Sequence, residues 1–119
     1  MHTFVSAAAL VGLAGLGGCT YTADVRNMTS EPVFVQMLQV DALQPDWVLD
    51  SVRVGPGETA KLGPKRVPFQ RVVIDAGTQM KRSVSGRALI TPGMTRLEVT
   101  SAAVIERDET VFTVKRRDE

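Results

Sequence analysis

The sequence predicts an all-β domain, an antiparallel β-sandwich of seven or eight short strands. Three observations carry that expectation. From Cys19 onward Val occurs 15 times against 6 Leu and 7 Ala, and β-branched residues fit the pleated, half-buried surface of a sheet. Turn signals recur at short intervals: Ser30-Glu31-Pro32, Gln44-Pro45-Asp46, Gly55-Pro56-Gly57-Glu58, Gly63-Pro64, Ala76-Gly77 and Thr91-Pro92-Gly93. Between them the chain alternates apolar and polar side chains with a period of two.

The predicted strands are 21–28, 33–40, 47–54, 59–62, 69–76, 84–90, 95–101 and 110–116. In the fifth, Val72 and Ile74 face one side, with Arg71, Val73 and Asp75 opposite. In the seventh, Leu97 and Val99 alternate with Arg96 and Glu98. In the eighth, Phe112 and Val114 alternate with Thr113 and Lys115. The second, Val33-Phe34-Val35-Gln36-Met37-Leu38-Gln39-Val40, changes phase midway. Such a change predicts a bulge or burial on both faces. Pro56-Gly57 and Pro92-Gly93 suit the central positions of type II turns, because Pro fixes φ and Gly takes positive φ. Trp47 opens the third strand, loosely where an immunoglobulin domain keeps its core Trp. With a single cysteine there is no inter-sheet disulfide, so the analogy is one of architecture.

The first eighteen residues carry no Lys, Arg, Asp or Glu, so all 14 basic and 13 acidic residues follow. Phe4 to Gly18 is apolar apart from Ser6, too short to span a bilayer comfortably, and weakened as a helix by Gly12, Gly15, Gly17 and Gly18. It fits the apolar region of an export signal that closes on small residues. The run Leu16-Gly17-Gly18-Cys19 resembles the lipobox of bacterial lipoproteins. That resemblance implies cleavage before Cys19, a thioether-linked lipid on its sulfur, a 1–18 signal peptide and a 19–119 lipid-anchored domain. It also implies a cell-envelope location. Because Thr20 rather than Asp follows the cysteine, the location in a Gram-negative envelope is the periplasmic face of the outer membrane. Thr20 to Ala23 leaves almost no linker, so the domain is expected close to the membrane.

Familiar catalytic chemistry is scarce. The only histidine is His2, inside the removed segment, so the mature domain has no imidazole for general-base or metal-ligand work. Its only thiol is committed to lipid. Triads built on His and Cys/His zinc sites are thereby excluded, and no metal or cofactor is expected. Glu106, Asp108 and Glu109 share a turn, without the spacing of a calcium loop. Thr78 and Lys81 sit at a nucleophile–lysine spacing that arises often by chance. Asn27-Met28-Thr29 matches a glycosylation sequon, which a bacterial envelope seldom uses.

Net charge is +1, so the whole-protein field makes no case for nucleic acid. Residues 59–87 nevertheless hold Lys61, Lys65, Arg66, Arg71, Lys81, Arg82 and Arg87 against Asp75 alone. Lys65-Arg66 and Lys81-Arg82 are each expected in a loop. If both loops lie at one end of the sandwich, the four form a patch for an anionic partner; otherwise they are scattered solvated charges.

These observations favour a membrane-anchored, non-catalytic interaction module for an envelope protein or anionic polymer, with the strand from Pro32 to Val40 and the basic segment as its surfaces. A structural or secretion-machine accessory role is the alternative. Asn27, Ser30 and the run Pro32-Val33-Phe34-Val35-Gln36-Met37-Leu38 resemble, over about a tenth of the chain, small β-sandwich lipoproteins that serve secretion machines. A small His-free hydrolase is a third reading, with no residue constellation behind it.

Overall fold

A computed structural model of the chain describes residues 18–68, 71–79 and 82–117. Leu16, Gly17 and Lys81 lie outside the described residues. Nine strands follow one another: β1 (Cys19–Asn27), β2 (Val33–Asp41), β3 (Gln44–Val54), β4 (Thr59–Val67), β5 (Arg71–Gly77), β6 (Ser83–Val84), β7 (Gly86–Ile90), β8 (Gly93–Val104) and β9 (Glu109–Arg116). A single 3-10 turn, Ile105–Arg107, joins the last two. They form two sheets, one in the order β4-β1-β8-β9-β6 and one in the order β3-β2-β5-β7. The fold is an all-β sandwich.

Two strand pairs are parallel rather than antiparallel, β1 with β8 and β6 with β9. The cause lies in the connections. Thr91-Pro92 carries the chain from Ile90 in the four-stranded sheet to Gly93 beside Tyr21 in the other. Because that link crosses at the end where β1 begins, β8 must run the same way as β1. The stretch expected as one strand, 84–90, divides at Ser85 between the two sheets. Gly86 permits the switch, since a Cβ there would run into the backbone of Phe112.

Alternation builds the core. Tyr21, Ala23 and Val25 of β1, Leu97 and Val99 of β8, and Phe112 and Val114 of β9 point inward from the larger sheet. Val33, Val35 and Met37 of β2 meet them with Val72, Ile74 and Ala76 of β5. Apolar burial on this scale, at roughly 25 cal/mol per Å², is the main force holding the two sheets together. Of the two expected causes of the phase change in β2, burial on both faces applies, whereas the bulge lies on its partner β3. Met37 pairs with Asp50 but Leu38 with Val48, so Leu49 is an extra residue on β3. Beyond this bulge Leu38, on the outer face, is buried together with its neighbour Val73, apart from the main core.

Trp47 departs from expectation. It lies on the edge strand β3 and is 70% exposed. The outermost strand has no neighbour on its far side, so a Trp there is not enclosed as it would be on a central strand.

Candidate functional site

Pairing across the sheets defines two ends. Cys19 pairs with Val67, and a short connection carries the chain from Val67 to Arg71, which pairs with Val40. The β7–β8 link is at the same end. Cys19, the β2–β3 hairpin tip, Lys65, Arg66 and Arg71 therefore share one end, the anchor end. At the opposite end lie Asn27, Glu31, Pro32, Val54 and Gly77.

Cys19 is a free, exposed cysteine and the first residue of β1. Its main chain is already within the sheet, so no flexible segment separates it from the folded domain. Gly18 precedes it with φ of 83°, a conformation in which glycine is favoured.

The far end is organised by a buried polar knot. The Asn27 side chain is wholly buried, and its Nδ2 donates to the carbonyls of Glu31 (2.7 Å) and Val54 (2.9 Å). Its Oδ1 accepts from the backbone N–H of Thr29 (2.9 Å) and from the Thr29 hydroxyl (2.7 Å). The backbone of Asn27 bonds the neighbouring turn, its N–H to Glu58 O and its carbonyl to Gly57 N. That turn closes through Glu58 N–H to Gly55 O (3.1 Å), with Gly57 at φ of 75° as a Pro-Gly turn requires. The Asn-Met-Thr triplet thus spends its polar groups on holding the chain reversal before β2. Buried polar groups must be partnered, and here those of the asparagine are.

The knot positions the wall of a groove. Phe34 is the first outward-facing residue of β2, and its cross-strand neighbours are Arg53 on β3 and Gly77 on β5. Gly77 offers no side chain, and a Cβ there would press on Ser85 at 2.9 Å. The Phe34 ring therefore borders open space of about 620 Å³, lined by Glu31, Pro32, Phe34, Arg53, Thr78 and Gln79. Two smaller hollows adjoin it, and Phe34 and Gln79 line all three. The space is thus bordered by an exposed aromatic residue, one acidic residue and one arginine. Among the described residues no three His, Cys, Asp or Glu side chains converge as a metal site.

Of the predicted four-residue basic patch, the three described members, Lys65, Arg66 and Arg82, do not come together. Lys65 and Arg66 belong to the edge strand β4 rather than to a loop, opposite Tyr21 and Thr20. A register shift between Tyr21 and Ala23 lets β4 continue through Pro64, and an edge strand tolerates a missing N–H. Arg82 is at the far end, beside Ser83, which pairs with Thr110. Gly93 marks the level of Tyr21 and Ala103 that of Thr110, so about 33 Å of strand, at about 3.3 Å per residue, separates Lys65 and Arg66 from Arg82. Arg82 instead faces Asp108 at 3.9 Å and donates to the Arg107 carbonyl at 3.4 Å.

The sequence singles out the strand from Pro32 to Val40, and Thr78 only for its spacing to Lys81, but not Arg53 or Gln79. They reach the groove only through pairing of β2 with two distant strands. The signal that was present was an aromatic residue at the polar phase of an alternating strand. Comparison with protein-family models, curated proteins and solved structures finds no match to the chain.

Proposed function

We propose that the chain is a membrane-anchored envelope lipoprotein, held by a lipid on Cys19, whose sandwich acts as a non-catalytic interaction module. The observation that carries this reading is the position of Cys19. It closes the Leu16–Cys19 run after an uncharged apolar segment, and it sits exposed at the first residue of β1. Lipid chains there, each buried methylene contributing about 0.8 kcal/mol, hold the domain at a bilayer without a linker. The Phe34 groove then lies at the end of the sandwich away from the anchor, where an envelope protein or polymer can reach it.

The test is expression of the full chain in a bacterium beside Cys19→Ala. The wild type is expected in the membrane fraction, with lipid mass on the peptide that begins at Cys19. The variant is expected to lose that mass and to keep an uncleaved leader. N-terminal peptides that differ only by the sulfur atom lost in the substitution, with no lipid on either, reject the anchor.

A further inference from the structure

We propose that the anchor end is itself a bilayer-contact surface: Trp47 and Leu43 enter the interfacial zone of the membrane while Lys65, Arg66 and Arg71 meet anionic headgroups. The inference rests on the lipid-anchor reading and adds to it an orientation for the whole domain.

Its starting point is a surface that the fold leaves uncovered. Leu43, at the tip of the β2–β3 hairpin, is 92% exposed and Trp47 is 70% exposed. The hairpin is nonetheless a built element. Asp41 Oδ1 accepts the N–H of Leu43 at 3.0 Å, which fixes the turn. Asp46 reaches Arg87 on β7 at 3.3 Å. Because β3 and β7 are opposite edges of their sheet, this contact requires the arm to lean across the outer face. A fixed arm that displays Leu and Trp to solvent is hydrophobic area held in reserve for something outside the domain.

The rest of that end identifies the occupant. Arg66 and Lys65 pair with Thr20 and Tyr21, one and two residues from Cys19, hence within about 7 Å of it along the strand. Arg71 pairs with Val40, next to the hairpin tip. All three cations are exposed. Nearby, Asp46 pairs with Arg87, which also holds Asp75. Asp41 accepts the turn N–H and Asp50 the N–H of Gly63, both keeping their charge; the exposed cations Lys65, Arg66 and Arg71 outnumber those two carboxylates. Trp favours the membrane–water boundary because its ring is apolar and its N–H still finds water. Cations beside it are drawn to an anionic leaflet. With no linker after Cys19, and packed sheets only about 10 Å apart, a bilayer that holds the lipid also meets this arm.

Trp47 is the only tryptophan in the chain, so its fluorescence reports the contact directly. The full lipidated protein is purified and reconstituted on vesicles of phosphatidylcholine, with or without phosphatidylglycerol. Flotation and the mass of the Cys19 peptide are measured on the same samples. The expected result is a blue-shifted Trp47 emission, quenched by lipids brominated near the headgroup. The shift should be larger on the anionic vesicles, and Lys65→Glu with Arg66→Glu should remove that difference. Flotation of lipidated protein with Trp47 still as water-accessible as in detergent-free solution overturns the contact, leaves the anchor standing and assigns the arm to a protein partner. Absence of lipid together with absence of flotation overturns both. Absence of lipid with flotation and a shifted Trp47 rejects the anchor and keeps the contact.

Discussion

The two ends of the sandwich are finished in opposite ways. At the far end every polar group of Asn27 is satisfied inside the protein, and the chain reversal it holds presents a shaped groove beside Phe34. At the anchor end, among the described residues, no side chain makes as many hydrogen bonds. The hairpin tip is held by one turn bond and one ion pair, and its large apolar side chains face outward. The difference separates two kinds of surface. An open groove whose rim at Glu31 is tied to a buried hydrogen-bond knot suits a partner of matching shape. A projecting apolar arm among cations needs no shape and fits a surface that has none, such as a lipid leaflet.

The contrast breaks most visibly at Asn27. Replacing it by Ala removes both donors and the acceptor, leaving the Val54 carbonyl and the Thr29 N–H without their side-chain partner, while the Glu31 carbonyl keeps the Thr29 hydroxyl. A buried group left unpaired costs about 1–3 kcal/mol, and relaxation at the chain reversal recovers part of the total. The expected loss is about 3 kcal/mol, read as a lower thermal midpoint by circular dichroism. Asn27→Asp keeps the acceptor but loses both donors and should also destabilise. An Asn27→Ala protein as stable as the wild type would show that the knot is ornamental and that the far end is no more rigid than the anchor end.

Much of this contrast was legible in the sequence, and its gaps have physical causes. The β class, most strand positions and the Pro56-Gly57 turn follow from alternation and turn chemistry, which are local. The β2 phase change was visible because both Met37 and Leu38 are apolar, although only pairing shows the extra residue Leu49 on the facing strand. Asn27-Met28-Thr29 invited a reading as a modification motif. The same spacing serves an asparagine that accepts from the N–H two residues on, and only burial distinguishes the two. Lys65 and Arg66 do not meet Arg82 because strand register, not sequence distance, decides which residues come together. Lys65 and Arg82 are 17 positions apart in the chain but belong to opposite ends. Trp47 was placed only by loose analogy with the core Trp of an immunoglobulin domain, and its edge position depends on sheet order.

A middle-sized effect sharpens the groove itself. Gly77 lies across from Phe34, and a Cβ there meets Ser85 Cβ at 2.9 Å. Crowding of this kind costs about 1–3 kcal/mol, while removing a glycine returns about 0.4–1 kcal/mol through the unfolded chain. Gly77→Ala is therefore expected to destabilise by about 1 kcal/mol in denaturant unfolding and to narrow the hollow beside the Phe34 ring. A gain in stability would show that Ser85 yields freely and that the hollow is not held open by packing.

The smallest expected effect is the most discriminating one for the anchor end. Trp47→Ser removes the largest exposed apolar side chain of the arm. If the arm is finished by something outside the domain, the isolated protein hardly needs it. Its ring is mostly in solvent, it is absent from the main core, and surface changes of this kind usually stay within about 0.5 kcal/mol. Thermal unfolding of the variant in solution should therefore overlay that of the wild type. A loss above about 1.5 kcal/mol would mean that Trp47 packs on the domain after all, in the manner of Leu38 and Val73 on the same sheet. The arm would then be a clasp over the outer face, and the two ends would differ only in the kind of bond that closes them.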